Sequence, residues 1–345
     1  MNTHVPPSNP DREPEAAVPA KARMIAGLWR RFFAFAIDCV FLGVMGLLAG
    51  VFFFDQLADL GPVSRLAGFL FALLYFGILE SSIGNGQSIG KYAMGLKVVD
   101  LEGHALSAED SLIRYMVFAV PWFLSAMPLP VSRTPGFVLV LLGTVGIGTV
   151  GMNLYLMVSN RGDRRGLHDL AAQSYVARKG KEGRLAATPV PKRDWVIAGA
   201  LFMVLGPVCG ALSARILEWG PFPQLTTDAR LAEQIEGVQH ANAHIVYLLN
   251  VRDGRPQRTL AIEVCRKGKI SDDREFEDEV AKRVLESDPQ AWKFDRISIT
   301  IARKFDLGFF SSTRSWRASH TPAEWRDVLY GGAPEEANET GQEEK

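Results

Sequence analysis

The sequence predicts an α-helical polytopic membrane bundle of about five transmembrane helices, followed by a small soluble α+β domain. Three observations carry this. Long apolar runs crowd the first two thirds of the 345 residues, and a bilayer core of about 30 Å takes about 20 such residues per helix. After Thr226 the runs give way to short alternating patterns and an ordinary polar balance. Charge divides in the same region: it sums to zero over the chain, but to +5 up to Arg215 and −5 beyond it. A chain-wide basic surface for nucleic acid is therefore excluded.

Residues 1–22 are rich in Pro, Glu and Asp without apolar periodicity and read as a disordered tail. The apolar run that follows is too long for a cleavable signal peptide. Helices are expected over 32–54, 66–79, 112–127, 137–158 and 195–214, with Pro121 kinking or breaking the third and Pro207 kinking the fifth. The resulting division is a transmembrane module over 23–180, a basic linker over 181–194, a fifth helix over 195–216, an α+β domain over 222–330 and an acidic disordered tail over 331–345.

Basic residues near helix ends resist translocation. Arg23, Arg30 and Arg31 precede the first helix, and 159–194 holds nine Lys/Arg against four acids, whereas 55–65 holds two acids and one Arg. Five spans then put the N-terminus and the two longer loops in the cytoplasm. The α+β domain falls in the periplasm of a bacterium whose inner membrane holds the bundle. Trp29, Trp195 and Trp219 suit the headgroup region.

In the exported part, 226–241 suits an amphipathic helix with Leu231, Ile235 and Val238 on one side, before strands over 244–252 and 258–267 around Asp253-Gly254. Asp272 and Glu275 form a capping box ahead of Phe276, Val280 and Val284. Ile297, Ile299 and Ile301 alternate along a strand, 308–316 returns, and Thr321 with Glu324 caps a last helix carrying Trp325, Val328 and Leu329.

Arg31 and Asp38 open the candidate site. Seven residues rotate a helix by about 700°, so the two share a face about 10.5 Å apart along the axis. An ionisable group at that depth is a functional candidate. Asp38 either bonds a neighbouring helix and fixes packing or takes part in transport or proton handling, and Arg31 either joins it or snorkels to phosphates. His168 and Asp169 read as a hydrogen-bonded pair closing a loop, or as a proton relay. Gly84, Gly86, Gly90 and Gly95 allow tight turns, and Lys91 and Lys97 can meet anionic headgroups. No P-loop is present, because no strand precedes a Gly-Lys-Ser/Thr.

Three separated motifs occur in order: Arg31 to Asp38 on the first helix, Gln87-Ser88-Ile89-Gly90-Lys91-Tyr92-Ala93-Met94-Gly95-Leu96-Lys97-Val98-Val99-Asp100 in the first loop, and Arg165-Gly166-Leu167-His168-Asp169-Leu170-Ala171 in the second. Over 28–176 the chain resembles the RDD family of membrane proteins, named for one Arg and two Asp. The resemblance implies Arg31, Asp38 and Asp169 as the named trio, Gly90, Lys91 and Arg114 as further motif positions, and transport of an ion or small solute as the activity. The fifth helix and the exported domain go beyond a minimal member. They motivate the alternative of a membrane-anchored assembly factor with a periplasmic partner.

The remaining features call for little chemistry. Cys39, Cys209 and Cys265 read as small buried residues with no disulfide framework. His240 and His244 are four apart without a third ligand, so no metal is expected, and the charges of 272–279 read as a solvated helix face. No nucleophile, base and orienting-acid set is evident, and the expectation is a non-enzymatic protein without a cofactor. Gly206, Gly210 and Ala214 on the fifth helix, and Thr144, Gly148 and Gly151 on the fourth, suit close helix packing, within the chain before dimerisation.

Overall fold

The computed structural model describes residues 24–125, 134–160, 162–217, 222–249, 256–266, 268 and 274–331. The expected tail over 1–22, residues 332–345 of the expected acidic tail, and Trp219, Asp253, Gly254 and Asp272 lie outside them. Helix α1 spans Leu28–Asp59, and a short turn of 3-10 helix at Gly61–Val63 leads into α2, Ser64–Leu79. Then come α3 (Ile89–Ala93), β1 (Leu96–Asp100), α4 (Ala108–Ser125), α5 (Gly136–Ser159, with a π-helical turn at Thr144–Gly148), α6 (Leu167–Ala171), β2 (Ser174–Arg178) and α7 (Lys192–Leu217). Among the described residues α1, the 19 residues Gly61–Leu79 and α5 are long and apolar enough to cross a membrane. Val40, Val51 and Phe52 on α1 are more than 60% exposed, which suits a lipid-facing surface.

Over the described residues each apolar run expected to be a helix is one, with residues 126 and 127 of the third run outside them. Helix α4 begins four residues before the run because the Ser107 hydroxyl accepts from Asp110 N at 3.0 Å. Pro121 and Pro207 sit inside continuous helices. A Cβ on Gly206 would lie 2.4 Å from Thr144 Cα, so the small residues of α5 and α7 permit close approach within the chain.

The chain forms two compact units. One comprises 1–42, 70–122 and 147–205; the other comprises 43–69, 123–146 and 206–345. In the first, β1 and β2 pair antiparallel, Val98 opposite Val176, and Ile25 bridges to Ala177. Leu96, Val98, Leu106 and Val176 form its small core with Ala26 and Ala34.

In the second unit, α8 (Phe222–Ala232), β3 (Val238–Leu249), β4 (Pro256–Arg266), α9 (Arg274–Ser287), β5 (Arg296–Asp306), β6 (Ser311–His320) and α10 (Pro322–Tyr330) build a four-stranded sheet in order β3-β4-β5-β6. Strands β4 and β5 run parallel around α9, and the other pairs are antiparallel. Leu260, Ile262, Val264, Ile297, Ile299 and Ile301 pack with Leu225, Val280, Val284 and Trp325, so the three helices share one face of the sheet. The helix expected over 226–241 instead ends at Ala232: Gly237 adopts φ +85°, and Val238 opens β3. Thr321 and Glu324 form the expected capping box.

The β5–β6 tip in this unit packs on the end of α1. Leu307 joins Phe54, Ala58 and Phe305 in a cluster with Phe310, and a Cβ on Gly68 would lie 2.0 Å from Leu307 O. Buried Arg303 donates to Asp55 at 2.5 Å and to Asp59 at 2.6 Å, and Arg65 pairs with Asp306. Cys39 is exposed on α1, correcting its expected burial; Cys265 is buried, and neither is in a disulfide.

Candidate functional site

The site lies in the first unit and is built from α1 outward. Asp38 is fully buried on α1. It accepts from Tyr75 Oη of α2 at 2.7 Å, from Ser88 Oγ at 2.6 Å and from Gly90 N of α3 at 2.7 Å. All three partners donate, which is what a carboxylate removed from water requires. Gly90 makes this possible because a Cβ there would sit 1.9 Å from Ala34 O. Only a residue without a side chain brings the α3 backbone this close to α1. Asp38 thus clamps α1, α2 and the first motif loop together.

Asp169, also fully buried, lies on α6 in the second loop. Arg114 of α4 donates to it through Nε at 3.0 Å and Nη2 at 2.8 Å, Arg31 Nη1 at 3.1 Å, and Gly166 N at 3.3 Å. Burial pushes against its ionisation, but the surrounding His168, Arg114 and Arg31 hold its carboxyl well below the usual carboxylate range. Arg114 also pairs with Glu80, and Glu80 with Lys91 of α3. A continuous chain of charge therefore runs Lys91, Glu80, Arg114, Asp169, Arg31. Together with Asp38 it balances three cations against three carboxylates, the condition under which buried charge is tolerated.

Two readings of the sequence are refined by this geometry. Arg31 and Asp38 share a helix face but do not pair: Arg31 reaches Asp169 and Arg164 O, while Asp38 reaches the first loop. His168 faces Asn153 Oδ1 at 3.1 Å through Nδ1 and Asp169 Oδ1 at 3.5 Å through Nε2. Burial pushes its pKa down to about 4, with Asp169 opposing and Arg114 and Arg31 reinforcing the shift, so its ring is neutral near pH 7 and closes the loop as a hydrogen-bonding group.

Glu80, Tyr75, Ser88 and Asn153 were not singled out in the sequence. Glu80 ends an apolar run, where an acid reads as an interface residue, and Ser88 lies inside the first motif. Arg31 is incompletely satisfied: its side chain is 8% exposed, yet Nε and Nη2 have no hydrogen-bond partner among the described residues. Among the described residues no cluster of three or more His, Cys, Asp or Glu could hold a metal ion.

No curated protein and no solved structure matches the chain. Residues 25–173 match the model of the RDD family, a span that contains all three motifs and every charged member of the network. The apolar helices and this match together mark an integral membrane protein whose residues 25–173 are similar to the RDD family.

Proposed function

We propose that the protein moves, or helps to move, an ion or small solute across a bacterial inner membrane, without enzymatic chemistry, and that Arg31, Asp38 and Asp169 are central to it. The observation that carries this is the unused half of the Arg31 guanidinium. A buried cation with three unpartnered N–H donors, one on Nε and two on Nη2, is costly in a purely structural network, and it offers donors to a passing anion, carboxylate or water chain. Replacing Asp38 with Asn and measuring flux in proteoliposomes under a pH gradient tests the reading. A changed rate in a folded variant supports a role for Asp38. An unchanged rate removes it from the mechanism, and no flux by wild type for any solute tried counts against transport.

Backbone pairings support five crossings. Ile25 bridges to Ala177, and β1 pairs with β2, so the segment before α1, the loop after α2 and the loop after α5 belong on one side of the membrane. Between β1 and β2 the chain then crosses an even number of times, so α4 crosses if α5 does. In the second unit Arg303 bonds Asp55 and Asp59, so the sheet belongs with the α1–α2 turn. This requires α7 to cross as well. With the basic loops inside, the sheet is periplasmic.

The second reading, an assembly factor whose periplasmic domain binds an envelope protein, is favoured by the edge strand β6, where Thr313, Ser315 and Arg317 are exposed. Full activity after deletion of 222–330 would count against it.

A further inference from the structure

The second unit contains a cavity of about 290 Å³ that the transport reading does not use. Its walls include Pro62 of the turn after α1, Gln239 and His240 of β3, Glu263 of β4, and Lys304 and Phe305 of β5. Strand register explains how these residues meet. His240 lies opposite Cys265, and Cys265 opposite Ala302. Ile262, Val264, Ile299 and Ile301 turn to the helices, so Glu263, Cys265, Ala302 and Lys304 share the other face. Longer polar side chains from these strands stand around the cavity.

These polar groups are underused. His240 is 8% exposed, and its Nδ1 has no hydrogen-bond partner; neither has the buried Nε2 of Gln239. Lys304 lies near the Cys265 thiol, and the Glu263 side chain has no hydrogen bond or ion pair among the described residues. The register offsets Glu263 and Lys304 by four residues, about 13 Å along the strands. Their side chains close only part of that distance, which leaves a fixed negative and a fixed positive charge facing each other across the cavity. Asp306, also in the wall, is already held by Arg65 and Gly308 N.

We propose that this cavity binds a small free amino acid, its carboxylate on Lys304 and Gln239, its ammonium on Glu263, and its carbon chain against Pro62 and Phe305. The volume is at the low end for ligand pockets and suits a molecule of this size. A zwitterion is the class that bridges two separated opposite charges, whereas a simple anion or amine leaves one of them unpaired. This inference does not rest on the transport reading, because binding requires no gradient and no passage through the bundle.

The test is titration calorimetry on the full chain in detergent micelles with glycine, alanine, β-alanine and γ-aminobutyrate, and with acetate and methylamine as single-charge controls. At least one amino acid is expected to bind with a Kd of about 1 mM or tighter, and both controls at least about tenfold more weakly. Lys304→Met and Glu263→Gln are each expected to weaken that binding about tenfold or more with the melting curve retained. Should Lys304→Met fail to fold, Glu263→Gln decides: it must lose the preference for an amino acid over acetate. Absence of binding by all four amino acids to the folded protein would overturn the proposal. So would acetate binding as tightly as the best of them, or wild-type affinity in both folded variants.

Discussion

Replacing Gly90 with Ala tests the clamp on Asp38. The new Cβ would lie 1.9 Å from Ala34 O, so α3 and α1 must part by roughly 1 Å or more to restore an ordinary contact. The bond from Gly90 N to Asp38 now measures 2.7 Å, and that movement carries it past about 3.5 Å, where it no longer counts as a hydrogen bond. Losing one donor to a buried carboxylate costs about 1–3 kcal/mol, and forcing packed backbones apart costs about 1–3 kcal/mol more. A total of about 3 kcal/mol corresponds to a fall in Tm of roughly 8 °C. Thermal melting in nanodiscs, with Gly43→Ala as control, measures it. A Cβ at Gly43 meets nothing within 4 Å, so this control should be neutral or slightly stabilising, by about 0.5–1 kcal/mol. If Gly90→Ala melts with the control, the close approach does not hold Asp38 in place.

Three other outcomes follow from the structure. Burial, with Asp288 adding to it, raises the Asp228 pKa to about 7. The folded state therefore holds this proton more tightly than the unfolded chain, and the resulting stability is complete below about pH 4 and lost as pH rises through about 7. Asp228→Asn should flatten the dependence of Tm on pH and gain roughly 2 kcal/mol at pH 8 after allowance for screening; an unchanged pH profile refutes this. Arg303→Met removes both ion pairs to α1 and should speed amide exchange at Leu307 about tenfold; equal exchange would show that the apolar contacts suffice. Alkaline phosphatase fused after Tyr330 should be active and after Arg184 silent, and the reverse would overturn the five-span arrangement.

The sequence made the bundle legible through its apolar runs and the sheet through the alternation of Ile297, Ile299 and Ile301, since burial imposes both periods directly. Strands β1 and β2 were not legible: each is five residues long and lies in a motif loop whose glycines suggested turns. The end of α8 was hidden because Ile235 and Val238 continue a helical spacing although Gly237 breaks it. At the site, Arg31 and Asp38 stood out as charge near or within apolar sequence, and Asp169 through the motif it shares with the family. Their partners did not, because Glu80, Ser88 and Asn153 acquire their roles only when loops far apart in the chain meet.

The central claim is that the charged network is more than a structural tie, and Arg31→Gln, with Arg31→Lys beside it, tests this most directly. Gln removes the charge and the bonds to Asp169 and Arg164 O, so the melting temperature should fall, but Arg114 still neutralises Asp169 and the protein should stay folded while the unused donors disappear. Solute flux and melting are measured on the same proteoliposome preparations. The account predicts flux reduced about tenfold or more in Arg31→Gln, partly retained in Arg31→Lys, and a folded protein in both. Wild-type flux in a folded Arg31→Gln protein would contradict it.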